Sequence, residues 1–238
     1  MYMCEKRSTF AEIFCNVTLN SMNLNEIKAA LFDLDGTLID TEGQYSVIWH
    51  QVGLEYRPDI PNLEDAIKGN TLKRILERFF PDPDVQREVV SRLDAYEAQM
   101  NYDFFPGARE FLLDMKRHGV KCAVVTSSDQ KKMQHVRDKN PELIAMFDRI
   151  FTAEDFAASK PDPDCYLRAV SAFGLERRQC LVFEDAFSGL QAGTSANIFT
   201  IGLASYNPRE AIEDKCDLVL DSFEGVTYEK MAEKLAKF

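Results

Sequence analysis

The sequence is organised around one stretch, Leu31-Phe32-Asp33-Leu34-Asp35-Gly36-Thr37-Leu38-Ile39-Asp40. The apolar approach from Ala29 to Phe32 predicts a buried strand, and Gly36 permits a sharp turn after it. Asp33 and Asp35 are two residues apart, so their side chains project to the same side of an extended chain. Two close carboxylates repel each other unless a cation or a shared proton relieves them. A plain surface turn is the alternative interpretation, because Asp-Gly is a common turn sequence.

Composition limits the classes of function. The chain has 238 residues, with 39 acidic and 28 basic side chains and a formal net charge of −11. Such a charge repels nucleic acid and anionic membrane surfaces. The apolar runs of the chain are only as long as a strand, whereas a membrane-spanning helix needs roughly 20 residues. Near the first residue, Glu12 and Asn16 interrupt the apolar core that a secretory signal would need. We therefore expect a cytoplasmic protein, a monomer or weak dimer, that binds neither nucleic acid nor membrane.

Cysteine and histidine positions indicate no metal site of their own. The six cysteines are scattered and never form a Cys-x-x-Cys pair, which argues against zinc and against a disulfide framework. Cys122 and Cys180 lie in strand-like runs, where we expect them to be buried apolar residues. The histidines occur in charged, helix-like surroundings, which favours positions at the surface or at helix ends: His50, His118 and His135.

The pattern divides the chain into three regions. Residues 1–24 show no periodicity and predict a poorly defined extension, in which Met22 is an alternative start. Residues 42–104 carry apolar stripes at helical spacing and no convincing strand, which predicts a small inserted helical cap. Residues 25–41 and 105–238 alternate strands with helices, which predicts a doubly wound, mostly parallel, Rossmann-like α/β core. The predicted strands are Ala29–Phe32, Lys121–Thr126, Ile150–Thr152, Cys180–Glu184, Asn197–Leu203 and Asp217–Leu220.

Polar residues follow several of these strands. Thr126-Ser127-Ser128 follows an apolar strand and is suited to hold an anion or to cap a helix. Glu184 and Asp185 end another strand, where a capping role for Asp185 is the alternative. Lys160 precedes two prolines; an isolated lysine is usually a solvated surface charge. Because a doubly wound sheet brings strand ends together, we expect these groups to face one site with Asp33 and Asp35.

In this order, the four motifs resemble the haloacid dehalogenase superfamily of phosphotransferases. They are an Asp-x-Asp-Gly-Thr-Leu-x-Asp strand end, a later strand ending in Thr, a Lys-Pro-x-Pro loop and a Glu-Asp strand end, and they span Asp33 to Asp185. The insert resembles the helical cap of the branch that contains β-phosphoglucomutase and many small-molecule phosphatases. Dehalogenases of the superfamily lack the second aspartate and need no metal, so Asp35 argues against that activity.

The resemblance implies a catalytic aspartate pair and a metal. Asp33 would attack phosphorus to form an aspartyl-phosphate, and Asp35 would protonate the leaving alcohol and then take a proton from water or an acceptor. Asp33, the backbone carbonyl of Asp35, and Asp185, with Glu184 directly or through water, would supply the oxygen ligands of Mg²⁺.

The resemblance also implies a phosphate site. Lys160 and the Thr126 hydroxyl, with the Ser127 amide, would bind the phosphoryl oxygens and stabilise the charge of the transition state. Asp40 would order the turn after the nucleophile, with helix capping as the equal alternative.

The cap sequence bears on the substrate. β-Phosphoglucomutases carry Lys-Gly-x-Ser-Arg in this cap, where this chain has Lys68-Gly69-Asn70-Thr71-Leu72. The arginine that would bind a second phosphate is replaced by Leu72, although Lys73 or Arg74 offers a substitute, and the mutase histidine is replaced by Tyr45. We therefore expect a Mg²⁺-dependent phosphatase of a small phosphorylated metabolite, most simply a sugar or polyol phosphate.

Three alternatives remain at this stage. Lys68, Gly69, Asn70 and Thr71 would contact the leaving group when the cap closes, or would only form a helix junction. A β-phosphoglucomutase-like phosphomutase is the alternative enzyme. A scaffold without activity is the third hypothesis, because fold does not dictate function; it is disfavoured because the chain retains Asp33, Asp35, Lys160 and Asp185.

Overall fold

The computed structural model describes residues 26–238 of the chain. The predicted extension, residues 1–24, and the alternative start at Met22 lie outside the described residues. Six strands form one sheet: β1 (Ala29–Phe32), β2 (Lys121–Val125), β3 (Arg149–Phe151), β4 (Cys180–Glu184), β5 (Phe199–Leu203) and β6 (Leu218–Leu220). The helices are α1 (Glu42–Tyr56), α2 (Leu63–Ala66), α3 (Leu72–Phe79), α4 (Pro83–Glu97), α5 (Ala108–Arg117), α6 (Gln130–Lys139), α7 (Pro141–Ala145), α8 (Asp164–Phe173), α9 (Phe187–Ser195), α10 (Arg209–Ile212) and α11 (Tyr228–Leu235).

The sheet is parallel throughout and has the order β3-β2-β1-β4-β5-β6. The predicted doubly wound α/β fold is therefore confirmed. β1 lies between β2 and β4, with Phe32 level with Val124 on one side and with Phe183 on the other. The strand order reverses at β1, and open α/β sheets bind their ligands at such a switch point, beyond the carboxyl ends of the strands.

The central strands β1 and β4 are buried on both faces, as their apolar sequences require. Residues that alternate along β1 enter different clusters: Phe32 packs with Phe183 and Phe111, whereas Leu31 packs with Tyr166 of α8. The rings of Phe32 and Phe183 stack with centroids 4.6 Å apart. Because side chains pack against both faces of β1, the end of this strand is held in place. Asp33 is the next residue in the chain.

The first four of the five helices between β1 and β2 in the sequence are α1 to α4. They bury a cluster of their own that includes Trp49, Val52, Phe80 and Val89. Thr71 precedes α3 as its N-cap, and the next helix, α4, begins at Pro83 and ends at Glu97. The assignment of residues 42–104 to a separate cap remains a proposal.

Two expectations about the surface and the cysteines can be compared with the structure. Cys122 and Cys180 are free and buried, as the strand patterns predicted. Within residues 26–238, no helix has the length and apolar character needed to cross a bilayer. The cytoplasmic location and the monomeric or weakly dimeric state remain predictions.

Candidate active site

The predicted site residues meet at the carboxyl ends of the central strands. Asp33 directly follows β1, Thr126 follows β2, and Glu184 ends β4. They border a cavity of about 120 Å³ between the sheet edge and the cap helices. The predicted residues that line this cavity are Asp33, Asp35, Lys68, Gly69, Asn70, Thr126, Ser127 and Glu184.

Three acidic side chains form the centre of the site. One carboxylate oxygen from each of Asp33, Glu184 and Asp185 lies within 4.8 Å of the others, and all three residues are buried. Burial raises the pKa of Asp33 to about 8, and the charges of Glu184 and Asp35 add to this while Lys160 opposes it. Burial, then the charges of Glu184 and Asp33, also raises the pKa of Asp185 well above its usual value. Crowded carboxylate oxygens of this kind fit Mg²⁺, which prefers oxygen ligands and would relieve the repulsion.

Gly36 allows the turn after Asp35 to approach this cluster. Its φ is +79°, and a Cβ atom built there would lie 2.3 Å from Asp185 Oδ2. The Thr37 hydroxyl donates a 2.8 Å hydrogen bond to Asp185 Oδ1. Glycine is therefore required at position 36 for two reasons: the backbone there is left-handed, and a side chain would collide with the Asp185 carboxylate.

Lys160 lies between two acids of the cluster and is not a solvated surface lysine. Its Nζ atom is 2.6 Å from Asp33 Oδ1 and 2.5 Å from Glu184 Oε1, and its side chain is 2% exposed. It also donates to the carbonyl oxygen of Val125 at 3.0 Å. The Tyr166 hydroxyl donates to the same Glu184 oxygen at 2.8 Å. Burial would lower the pKa of Lys160, but the charges of Asp33 and Glu184 raise it, so the lysine is cationic.

Asp35 has a different environment from Asp33. Lys132 Nζ lies 2.5 Å from Asp35 Oδ2, the Thr41 hydroxyl donates to Oδ1 at 2.5 Å, and the Ser128 hydroxyl donates to Oδ2 at 2.9 Å. Burial alone would raise the pKa of Asp35, but Lys132 and these hydrogen bonds lower it. This environment favours the carboxylate form of Asp35 over its protonated form.

The Thr126-Ser127-Ser128 turn faces the cavity. Thr126 Oγ1 accepts a hydrogen bond from the Ser128 amide at 3.0 Å, and Ser127 Oγ donates to the Gly69 carbonyl oxygen at 3.0 Å. The helix-capping alternative belongs instead to Asp129, whose side chain accepts from the Lys132 amide at the start of α6. Thr126 and Ser127 are thus free of the capping role.

The predicted cap residues lie at the junction of α2 and α3. Lys68 pairs with Asp65 at 3.1 Å, and Asn70 Nδ2 donates to the Ile67 and Lys68 carbonyl oxygens. Thr71 does not line the cavity, because its hydroxyl caps α3 and lies 2.9 Å from Ser159 Oγ. The cap therefore touches the loop that carries Lys160.

Asp40 lies at the edge of the site. Its Oδ1 atom accepts a hydrogen bond from the Tyr206 hydroxyl, and its carbonyl oxygen accepts one from Gln44 Nε2 at 3.1 Å. The N-cap residue of α1 is Thr41. Asp40 thus joins the turn after β1 to a distant loop.

Comparison with known proteins gives the family. Residues 30–203 match the family model described as haloacid dehalogenase-like hydrolase. The chain belongs to this family. The predicted family and the predicted class of enzyme, a haloacid dehalogenase-like hydrolase, are confirmed.

Several curated relatives of this hydrolase are phosphatases by name. Validoxylamine A 7'-phosphate phosphatase of Streptomyces hygroscopicus subsp. limoneus is 32% identical over 203 residues, which cover 82% of this chain and 93% of the relative. Hexitol phosphatase A of Escherichia coli is 30% identical over 210 residues, covering 85% and 94%. Protein SUPPRESSOR OF QUENCHING 1, chloroplastic, of Arabidopsis thaliana is 29% identical over 207 residues, but this chain spans only 20% of its length.

Solved structures of haloacid dehalogenase-like hydrolases share the fold. A family IA, variant 3 hydrolase from Entamoeba histolytica superposes with a TM-score of 0.75 and 27% identity, covering 89% of this chain and all of that chain. A β-phosphoglucomutase from Clostridium difficile gives a TM-score of 0.74 and 24% identity, covering 89% and 98%. The latter likeness is one of fold.

Sequence reasoning about this hydrolase missed three residues that line the cavity together with Asp33 and Asp35. Lys132 is buried against Asp35, Glu42 lines the cavity, and Glu97 accepts a 2.7 Å hydrogen bond from the Tyr45 hydroxyl. The available signal for Lys132 was its place directly before Met133, which begins the buried stripe of α6. No comparable sequence signal marks Glu42 or Glu97, because a glutamate at the end of a helix is usually solvated.

Proposed function

We propose that this hydrolase is a Mg²⁺-dependent phosphatase that acts on a small sugar or polyol phosphate through an aspartyl-phosphate intermediate. The observation that supports it most is the contact of Lys160 with both Asp33 and Glu184 beside Asp185. These buried side chains would supply, close together, a nucleophile, a cation that binds the phosphoryl group and oxygen ligands for a metal ion.

The acids would hold the metal. Asp33, Asp185 and the backbone carbonyl of Asp35 are the proposed ligands of Mg²⁺, with Glu184 acting directly or through water. When bound, Mg²⁺ neutralises part of the phosphate charge and lowers its repulsion by the attacking carboxylate.

Asp33 is the proposed nucleophile. Its carboxylate oxygen would form a bond to phosphorus as the bond from phosphorus to the leaving oxygen breaks. Lys160, already 2.6 Å from Asp33, would bind a phosphoryl oxygen together with the Thr126 hydroxyl and the Ser127 amide. These donors would stabilise the negative charge of the transition state.

Asp35 is the proposed acid and base. In its protonated form it would give a proton to the leaving oxygen and become a carboxylate. It would then take a proton from the water that attacks the aspartyl-phosphate, which restores its proton. Lys132, Thr41 and Ser128 stabilise the carboxylate that exists between these two transfers.

The leaving group would lie under the cap. Lys68, Gly69 and Asn70 line the cavity and are placed to contact it, while Thr71 would hold the closed cap through Ser159. The relatives named for phosphatase activity, one of them on a hexitol phosphate, support a sugar or polyol phosphate as the substrate.

A phosphomutase remains the second candidate, and the contacts of the cap disfavour it. A mutase must bind a second phosphate. This chain has Leu72 at the position of the arginine that would bind it in β-phosphoglucomutases. Lys73 does not compensate, because its side chain is 84% exposed and points toward Glu77. Arg74 donates to the Lys160 carbonyl oxygen at 3.0 Å and does not line the cavity. Neither predicted substitute for the arginine reaches the site.

The test is phosphate release with Mg²⁺ from a panel of sugar phosphates, polyol phosphates, nucleotides and pyrophosphate. Conversion of β-glucose 1-phosphate to glucose 6-phosphate is followed in parallel, with and without a bisphosphate primer. We expect release without isomerisation, and no release by Asp33→Asn. Primer-dependent isomerisation with little release would favour the mutase.

A further inference from the structure

The cavity extends from Asp33 under the cap, and most of the charged side chains in its wall are acidic. Among the residues that the structure describes, seven acidic and two basic side chains line it. The acidic ones are Asp33, Asp35, Glu42, Glu64, Glu97, Asp129 and Glu184, and the basic ones are Lys68 and Lys132. The charge of this wall opposes that of any anionic leaving group.

Both lysines of the wall already have acidic partners. Lys132 is 2.5 Å from Asp35, and Lys68 is 3.1 Å from Asp65. Within residues 26–238, no arginine or histidine lines the cavity. A second phosphate or a carboxylate on the leaving group would therefore have to compete with Asp65 and Asp35 for a cationic partner, among several other acidic side chains, which is unfavourable.

Two carboxylates of the wall are instead suited to accept hydrogen bonds from hydroxyls. Among the described residues, the half-buried side chain of Glu42 has no hydrogen-bond or ion-pair partner, although it lies in the first turn of α1 beside the site. Glu97 accepts from the Tyr45 hydroxyl through Oε1, and its second oxygen accepts from no described residue. Burial, with the charge of Asp35 in second place, raises the pKa of Glu42 to about 7. A hydroxyl donor would relieve the cost of this buried charge.

Glu97 is held in place through Tyr45, whose ring is in turn contacted by Lys132. The Tyr45 hydroxyl donates to it at 2.7 Å, and Lys132 Nζ lies 4.4 Å from the centre of the Tyr45 ring. The same lysine contacts Asp35. Glu97 is thus held at a defined place relative to the proposed acid and base.

We propose that Glu42 and Glu97 determine specificity by accepting hydrogen bonds from a leaving group that carries hydroxyls and no second anionic group. The inference rests on the proposed phosphatase function and narrows its substrate class. It assigns these two glutamates a role in choosing the substrate, distinct from the phosphoryl transfer at Asp33.

The test compares two phosphates that differ at one carbon. Sorbitol 6-phosphate and 6-phosphogluconate share a six-carbon chain, with a hydroxymethyl group at C1 of the first and a carboxylate at C1 of the second. We expect kcat/KM to be about 100-fold higher for sorbitol 6-phosphate, because the carboxylate of 6-phosphogluconate would lie among like charges. We expect Glu42→Gln and Glu97→Gln each to reduce this ratio about tenfold, by lowering turnover of sorbitol 6-phosphate and raising that of 6-phosphogluconate.

Glu88→Gln is the matched control, because Glu88 is exposed on the same helix as Glu97. It leaves the ratio unchanged, and thermal unfolding checks that each variant is folded. Equal turnover of both compounds by the unaltered protein, or an unchanged ratio in both variants, overturns the inference. If p-nitrophenyl phosphate is hydrolysed in an Asp33-dependent manner while the ratio is near one, only the specificity role fails. If no phosphate ester is hydrolysed, the proposed function fails and this inference falls with it.

Discussion

Lys160 Nζ lies 2.6 Å from Asp33 Oδ1, and this contact joins a loop after β3 to the end of β1. The same ammonium group touches Glu184 at 2.5 Å, so one buried cation holds two strand ends together. A buried ion pair of this kind is costly to break, because the remaining charges lose their partner. The contact therefore matters for stability as well as for chemistry.

Replacement of this lysine tests both roles. We expect Lys160→Met to lower kcat/KM for any phosphate ester about 100-fold or more, because a cationic hydrogen-bond donor to the phosphoryl group is lost. It should also lower the free energy of unfolding by about 3 kcal/mol at neutral pH, measured by urea denaturation. Lys73→Met is the control, since Lys73 is 84% exposed and should change neither quantity measurably.

A glycine pair tests the close approach at the acid cluster. Gly36 and Gly119 have nearly the same φ, +79° and +78°, but only Gly36 has a site carboxylate within contact of an added Cβ. Both alanine substitutions cost about 1–2 kcal/mol for the left-handed backbone. We expect Gly36→Ala alone to raise the Mg²⁺ concentration needed for half-maximal activity. Equal Mg²⁺ dependence in the two variants would show that Gly36 does not shape the site.

Two neighbouring lysines test the pair at Asp35. Lys132 is 6% exposed and Lys131 is 58% exposed. We expect Lys132→Met to destabilise the fold by about 3 kcal/mol at pH 7, because Asp35 is left buried without its cation. Lys131→Met, which breaks an exposed pair with Asp94, should cost less than about 1 kcal/mol. Urea unfolding at pH 7 measures both, and similar losses would contradict a special role for Lys132.

Glu42 provides a prediction about pH. Burial raises its pKa from 4.5 to about 7 in the folded protein. The folded state therefore binds a proton more tightly than the unfolded state, and this residue makes stability fall as pH rises from about 4.5 to 7. We expect Glu42→Gln to stabilise the protein at pH 8, by at most about 3 kcal/mol, and by much less at pH 5. Thermal unfolding at the two pH values measures this, and a difference of the opposite sign would contradict the buried, ionised state.

The sheet and the centre of the site could be predicted because the strands are apolar runs that end abruptly in polar residues. Asp33, Thr126 and Glu184 each follow such a run, and a parallel sheet brings these ends together. Lys132 was not predicted, because its place directly before the buried stripe of α6 does not by itself show that its side chain turns inward. Periodicity also failed for short helices such as α2 and α7, which have four and five residues.

The predicted cap contacts show the same limit. Spacing placed Lys68 to Thr71 at a helix junction, but only the fold shows that Thr71 turns away from the cavity toward Ser159. The same is true of Arg74, whose guanidinium reaches the Lys160 carbonyl oxygen. The direction of a side chain at a helix junction depends on how the two helices pack against the rest of the protein. That packing cannot be inferred from a single sequence.

The most direct test is to identify the phosphorylated residue. The Asp35→Asn variant, which should lose the acid of the first step and the base of the second, is mixed with Mg²⁺ and p-nitrophenyl phosphate, whose leaving group departs without protonation, and is then quenched in acid. Peptide mass spectrometry then locates the phosphoryl group, with Asp33→Asn as the control. The account predicts a phosphoryl group on Asp33 that is absent from the control. A phosphoryl group on another residue, or undiminished turnover by Asp33→Asn, would contradict it.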